Sequence, residues 1–263
     1  HCFSLQFLVF SGLESLRCFG PTGIFSHTDS NAKRCVTVVD YNYRNFRTSN
    51  YDYMAFPGPK AGDDMLDFSL TSLDGKEIKL SDYKGKWVVI ETASLTCPMY
   101  VKNVNPIKKV IQKFPDVEFL VVYVREAHPG SRVGPHETLD DKIALADRMK
   151  NETGEVRNMA VDNLDGEMHK AYGSFPNMVY VVNPDGKVIY RCDWSYAHLI
   201  ERVLNERDKL HTNERKKIIT AWPWIMIPVI LKGGWDALFD QCKALPLIIW
   251  GHLKLDISEL FKK

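Results

Sequence analysis

The chain has 263 residues, of which 45% are hydrophobic and 25% charged, a composition typical of a globular protein that buries a substantial core. Its 34 Lys and Arg against 33 Asp and Glu leave a formal net charge of +1, so no overall field attracts nucleic acid. Composition therefore excludes a chain that is disordered throughout, and we expect no nucleic-acid partner.

The cysteines are scattered, with no C-x-x-C pair and no zinc-like cluster of Cys and His. The six positions are Cys2, Cys18, Cys35, Cys97, Cys192 and Cys242. We therefore expect neither a disulfide framework nor a metal site.

Residues 1–61 show no sustained hydrophobic period and end near the chain breaker Pro57-Gly58-Pro59, which predicts an irregular N-terminal extension. From residue 62 to 211, apolar runs of strand and helix spacing alternate. The predicted elements, in chain order, are a hairpin around 74–75, a strand at 87–90, a helix at 98–114, a strand at 119–124, a helix at 138–150, a strand at 159–161, a short helix at 167–172, a hairpin of strands 179–182 and 188–190, and a helix at 196–210. This order predicts an α/β fold, a thioredoxin-like mixed sheet flanked by helices.

The last segment, residues 212–263, is predicted to be an apolar C-terminal appendage. Its first part, Ile218–Leu231, is almost wholly apolar but has only fourteen residues and two prolines, fewer than the roughly 20 that a spanning helix needs. Two interpretations remain open. Residues 218–250 lie on a membrane surface of an intracellular protein, or the appendage packs on the domain or forms a dimer contact.

Cys97 lies where a predicted buried strand ends and a helix begins with Pro98. Unpaired backbone N–H groups and the helix dipole stabilise an anion at such a position. We therefore expect a lowered pKa for the Cys97 thiol and a nucleophilic thiolate, to which Ser94 and Thr96 donate hydrogen bonds. The alternative is that Cys97 is a small buried apolar residue.

Two runs of sequence resemble the iodothyronine deiodinase family. Glu91–Tyr100 is similar to the active-site motif of that family, with Cys97 at the selenocysteine position, and Val117–Pro129 resembles its strand and Glu-Ala-His-Pro segment. Shorter matches follow in the same order, so that the resemblance covers roughly residues 62–205.

The resemblance implies a dehalogenase that removes iodine reductively from an iodothyronine-like phenol. Cys97 would be the nucleophile, His128 and His136 would bind the phenol or move protons, and Glu126 and Tyr123 would complete the network. A His that titrates near pH 7 can supply the proton that the aryl carbon needs. Taken alone, each His also has a structural interpretation, as a strand-end residue or a solvated loop residue.

The family also implies partners. No bound cofactor is expected, and an external thiol such as glutathione or thioredoxin would be the reductant. A homodimer is expected from the resemblance only.

Several positions depart from the family. Sulfur replaces selenium, which predicts slower turnover, and Leu95 stands where vertebrate members carry a cysteine. Cys192 is the nearest internal candidate for a resolving thiol. Arg125 replaces an acidic residue, which changes the charge pattern of the pocket. Pro176 stands where thioredoxin-like proteins place a cis-proline, although a trans proline that starts a strand fits equally well.

Two other functions fit the same chemistry. The lead-in from Asp74 to Ser94 also resembles that of glutathione peroxidases, which favours a thiol peroxidase, but the downstream motifs of that family are missing. A non-catalytic binding module that kept the pocket is the third interpretation.

Overall fold

The computed structural model describes residues 41–52, 55, 57–211 and 221–260. Most of the predicted N-terminal extension and residues 212–220, at the start of the predicted appendage, lie outside the described residues. The predicted domain boundaries at 61 and 211 stay predictions.

One seven-stranded mixed sheet forms the centre of the protein, in the order β2-β1-β5-β4-β3-β6-β7. Its strands are β1 (Ser69–Ser72), β2 (Glu77–Lys79), β3 (Trp87–Ala93), β4 (Val117–Tyr123), β5 (Asn158–Val161), β6 (Val179–Val182) and β7 (Val188–Cys192). Strands β3, β4 and β5 are parallel, and β6 and β7 are antiparallel additions at the side of β3. The strands β4-β3-β6-β7 have the topology of a thioredoxin-like fold, as the sequence predicts.

Six α-helices lie in the described part of the chain: α1 (Pro98–Lys113), α2 (Leu139–Thr153), α3 (Glu167–Tyr172), α4 (Ala197–Asn205), α5 (Pro223–Ile230) and α6 (Trp235–Leu260). The prediction of a helix up to residue 210 was too long. Helix α4 ends at Asn205 because its apolar face ends at Leu204, and the following residues are charged. The long helix α6 was not predicted.

The sheet is covered on both faces. Helices α1, α2 and α4 pack on the face formed by alternate side chains such as Val89 and Phe119. Helix α3, residues 43–51 and one side of α6 pack on the opposite face, which Ile90 and Leu120 line. Strands β3 and β4 are therefore buried on both faces, which explains their nearly continuous apolar sequence.

Arg125, two residues after β4, binds the N-terminal segment to the domain. Its guanidinium donates hydrogen bonds to the carbonyl oxygens of Tyr41 and Asn50, at 3.0 and 3.1 Å. It also lies about 5 Å from the ring centres of Tyr41, Tyr43 and Tyr51, a geometry that favours cation–π attraction. Arg125 therefore has a structural role, because it holds residues 41–51 against the domain. Tyr43, Phe46 and Tyr51 of this segment are part of the hydrophobic core.

The C-terminal helices pack against the domain through one side and expose the other. Ala237, Ala244 and Ile248 of α6 are buried, whereas Trp235 and Trp250 of the same helix are 69% and 53% exposed. Among the described residues, no helix is both long and apolar enough to cross a membrane.

Candidate active site

Cys97 lies between the end of β3 and the first residue of α1, as the sequence predicts. The N–H groups of Met99 and Tyr100 donate hydrogen bonds to its sulfur, which favours the thiolate. The side chain, however, is only 1% exposed and packs among apolar neighbours. Burial, helped by the carboxylates of Glu126 and Glu91, raises the pKa of Cys97 to about 12.

The expectation of a lowered pKa was therefore wrong for this conformation. The helix N-terminus does donate hydrogen bonds to the sulfur. The free-energy cost of burying a thiolate among apolar residues is larger than the stabilisation that those bonds provide. At pH 7 the resting protein holds Cys97 as a neutral thiol.

Glu126 organises the loop that precedes Cys97. Its carboxylate accepts hydrogen bonds from the backbone N–H groups of Leu95, at 3.2 Å, and Thr96, at 2.8 Å. The hydroxyls of Thr96 and Tyr123 donate to the same carboxylate. Glu126, Tyr123 and Thr96 therefore form one hydrogen-bonded network.

The Thr96 hydroxyl serves this network rather than the sulfur. Thr96 donates to Glu126 and accepts a bond from the N–H of His128 at 2.9 Å, so the prediction that Thr96 donates to the thiolate was wrong. Ser94 Oγ accepts a hydrogen bond from the N–H of Ala127 at 3.1 Å. Both hydroxyls join the Cys97 loop to the segment that carries the histidine.

The two predicted histidines occupy different places. The ring of His136 is 6% exposed and lies 5.5 Å from that of Tyr123, whereas His128 contacts Phe46, with ring centres 4.6 Å apart. Burial lowers the pKa of His128 to about 3 and also lowers that of His136. Both are neutral at pH 7, so the expectation of a histidine that titrates near neutrality was wrong.

A pocket with a volume of about 90 Å³ opens at the start of α1. Three parts of the chain line it: the predicted site, the N-terminal segment and the C-terminal helices. The lining residues are Phe46, Tyr51, Pro98, Met99, Ala127, His128, Pro176, Trp194, Ala221, Met226, Gln241, Ile248 and His252. Pro98 and Met99 directly follow Cys97 in the chain, but Cys97 itself does not line the pocket, and His128 is the predicted histidine that does.

Pro176 and Cys192 had predicted roles. Pro176 lines the pocket, and because the described residues contain no cis peptide bond, the trans alternative is the one present. Cys97 and Cys192 are both buried. The resolving role of Cys192 stays a prediction.

A buried charge network beneath the site was missed by the sequence reasoning. Arg157 forms ion pairs with Glu91 of β3 and with Glu155, the latter at 2.6 Å. Burial opposes the charge on Glu155, but its bonds to Arg157 outweigh burial and lower the pKa of Glu155 to about 2. Asn177 Nδ2 donates to the Glu91 carboxylate at 2.9 Å. A carboxylate inside the apolar run of β3 is the sequence signal that predicts such a buried partner.

A thiol between the central strand β3 and helix α1, together with the β4-β3-β6-β7 topology, defines a thioredoxin-like protein with a single-cysteine site. The family profile described as iodothyronine deiodinase matches residues 28–209. The chain belongs to the iodothyronine deiodinase family.

Curated relatives match a shorter part of the chain. Thyroxine 5-deiodinase of Sparus aurata is 28% identical over 128 residues, which cover 44% of this chain and 47% of the relative. Thyroxine 5-deiodinase of Gallus gallus is 28% identical over 132 residues, 45% of this chain and 50% of the relative. The chain thus spans about half the length of the curated relatives it matches.

Solved structures are similar at lower identity. A peroxiredoxin-like protein from Aquifex aeolicus is 17% identical, with a TM-score of 0.43 over 57% of this chain and 88% of that one. A thiol peroxidase from Chromobacterium violaceum is also 17% identical, with a TM-score of 0.42 over 59% of this chain and 93% of that one.

Proposed function

We propose that the protein removes iodine reductively from an iodothyronine-like phenol, with Cys97 as the nucleophile and an external thiol as reductant. The observation that carries this proposal is the apolar pocket that joins Pro98 and Met99, next to the thiol, to His128 in a member of the deiodinase family. An aryl iodide is an apolar, polarisable ligand that suits such a pocket.

Reductive deiodination can start from the neutral thiol of Cys97. The S–H and C–I bonds break, and S–I and C–H bonds form, so the proton that leaves Cys97 is the one that the aryl carbon needs. The ring of His128 lines the same pocket; because burial lowers its pKa to about 3, it would relay that proton in one concerted step rather than hold it. A reductant thiol then displaces iodide to form a mixed disulfide, and a second thiol restores Cys97 and leaves as the oxidised disulfide.

The size of the pocket limits how the substrate lies in it. A cavity of about 150 Å³ holds one benzene ring, whereas the pocket has a volume of about 90 Å³ and is open at one side. A two-ring phenol therefore extends out of the pocket through this opening.

The test is iodide release by the purified full chain with dithiothreitol and an iodothyronine. We expect release by the wild type and by Cys242→Ser, which alters an exposed thiol, but none by Cys97→Ser. Full activity of Cys97→Ser would remove Cys97 from the mechanism. Hydrogen peroxide consumption in the same assay, without iodide release, would instead favour the thiol peroxidase.

A non-catalytic binding module is the second candidate, and the buried thiol with a pKa of about 12 favours it. This module would bind an aromatic phenol in the same pocket without turnover. Binding by calorimetry with no iodide release under any thiol would select it over the enzyme.

We also propose that the exposed side of α5 and α6 lies on a membrane surface. Trp222, Trp224 and Trp250 are each more than half exposed there, and Lys243 and Lys254 of α6 are exposed as well. Tryptophan and lysine together are typical of helices that lie at a lipid interface.

The acidic residues near the start of α6 bond to the domain instead. Asp236 accepts hydrogen bonds from Ser131, and Asp240 accepts one from Asn45 at 3.0 Å. Among the described side chains of α6, Lys243 and Lys254 therefore contribute positive charge to the exposed side, which favours anionic lipids over a second copy with the same charge.

Sedimentation of the full chain with vesicles of phosphatidylcholine and phosphatidylserine tests this proposal. We expect binding that falls with salt and is lost in Trp250→Ser. A homodimer in solution that Trp250→Ser dissociates, with no vesicle binding, would show that a second copy covers the surface.

A further inference from the structure

Gln241 is a polar residue on the C-terminal wall of the pocket. Its side chain is 8% exposed, and its Oε1 has no hydrogen-bond partner among the described residues. Buried amide oxygens nearly always have a partner, because without one they forfeit the bond that water would make. An acceptor of this kind on a pocket wall indicates that a ligand supplies the donor.

The position of Gln241 is fixed relative to the predicted site. Ser131 donates hydrogen bonds to Asp236 from its N–H and its hydroxyl, at 2.7 and 2.8 Å. A Cβ at Gly130 would lie 2.5 Å from the Gly233 carbonyl oxygen, so the turn between α5 and α6 lies directly against the loop that follows His128. Helix α6 is thereby docked to that loop, and Gln241 lies five residues after Asp236.

The pocket has a second buried polar atom without a hydrogen-bond partner among the described residues. His128 Nδ1 is buried and unpartnered among the described residues. The remaining walls are mainly apolar, with Met99, Trp194 and Ile248 among them, and no Lys, Arg, Asp or Glu lines the cavity. Such a pocket suits an aromatic ligand with a neutral hydroxyl better than a carboxylate, an ammonium or a phenolate.

We propose that Gln241 accepts a hydrogen bond from the phenolic hydroxyl of the substrate and so makes α6 a determinant of specificity. This inference rests on the proposed function for the class of substrate. It adds a binding residue that lies outside residues 28–209, the range that the family profile matches.

The test compares two iodine-free probes on the full chain by calorimetry: 4-phenoxyphenol and its methyl ether, which has no donor. We expect the wild type to prefer the phenol about tenfold, a typical effect of one buried hydrogen bond. Gln241→Met, which keeps the shape and removes the amide, reduces the preference to less than about twofold and leaves the affinity for the ether unchanged.

Leu247→Met, at a position on α6 that is 59% exposed, is the matched control and keeps the wild-type preference. If Gln241→Met does not fold, as judged by its thermal transition, Gln241→Leu replaces it. An unchanged preference in the folded variant, or a wild type that binds neither probe, would overturn the proposal.

The outcome is separable from that of deiodination. Phenol selectivity that depends on Gln241, without iodide release, would leave the binding role standing and reject the reaction. Iodide release by Gln241→Met with the wild-type KM would reject the role of Gln241 and leave the reaction standing.

Discussion

The Cys97 thiol should ionise only at high pH in the free protein. Its burial raises the pKa from the usual 9.0 to about 12, which corresponds to about 4 kcal/mol against the thiolate. At pH 7 the thiolate fraction is about one in 10⁵. Since the thiolate is the species that alkylating reagents attack, the reaction of Cys97 should be correspondingly slow.

Alkylation by iodoacetamide, followed peptide by peptide with mass spectrometry, measures this ionisation. Cys242 is exposed and serves as an internal reference in the same chain. We expect the Cys97 rate to rise about tenfold per pH unit from pH 7 to the onset of alkaline unfolding. In urea-unfolded protein the Cys97 and Cys242 rates should become equal.

The shape of the pH profile separates ionisation from access. Slow entry of the reagent alone would lower the rate at every pH without moving the midpoint. A Cys97 midpoint at or below pH 9.0, the usual value for the thiol, would refute the raised pKa and restore the sequence-based expectation. A fall of the midpoint when 4-phenoxyphenol is bound would support ionisation coupled to ligand entry.

Three further changes have defined outcomes. Arg157→Met should lower the free energy of unfolding by about 3–5 kcal/mol because it leaves buried carboxylates unpaired, whereas Lys113→Met at a surface ion pair should cost less than about 1 kcal/mol in the same urea titration. Gly233→Ala places a methyl group against the His128 carbonyl and should cost about 1–3 kcal/mol, with faster proteolysis of α6, while Gly134→Ala, where the nearest atom is 3.8 Å away, should not. Because the pKa of His128 is lowered to about 3, the unfolded state binds a proton that the folded state refuses; stability should fall by up to about 1.4 kcal/mol per pH unit below about pH 6.5, and His128→Gln should flatten that slope.

One result for each of these three predictions would contradict it. Equal urea midpoints for Arg157→Met and Lys113→Met would show that the buried network contributes little. Equal proteolysis of the two glycine variants would show that the α5–α6 turn tolerates a side chain. An unchanged acid slope in His128→Gln would place the proton uptake elsewhere.

The sheet could be predicted from sequence because its strands are buried on both faces or alternate cleanly, and because Pro98 and the Asp74-Gly75 turn mark boundaries. Helix α6 could not be predicted, since apolar residues occur on its exposed side as well as on its buried side, as Ile248 and Trp250 illustrate. A helix that is apolar on most sides gives no single stripe for a periodicity argument to detect.

The residues that form the site were easier to predict than the pKa values of their side chains. The family resemblance assigned Cys97, Glu126 and Tyr123 to one site, and in the structure Glu126 bonds both to the loop before Cys97 and to Tyr123. The pKa of the thiol depends on burial, and part of that burial comes from distant segments. Tyr51, for example, is close enough to Cys97 for the two groups to influence each other's charge, although they are 46 positions apart in the chain.

The Glu91–Arg157 ion pair could not be predicted for a similar reason, because the two residues are 66 positions apart in the chain. The charge of Glu91 inside a buried strand indicates that a partner exists, but sequence alone does not say which of the many arginines it is.

The three-part pocket has a practical consequence for how the protein is produced. A fragment limited to residues 62–211 would retain the sheet and Cys97, but it would lack Phe46, Tyr51 and the walls contributed by α5 and α6. In that fragment Arg125 would lose its contacts with Tyr41, Tyr43 and Tyr51. The pocket would lose two of its three walls and become exposed to solvent. Ligand screening and crystallisation should therefore start from expression boundaries no tighter than residues 41–260.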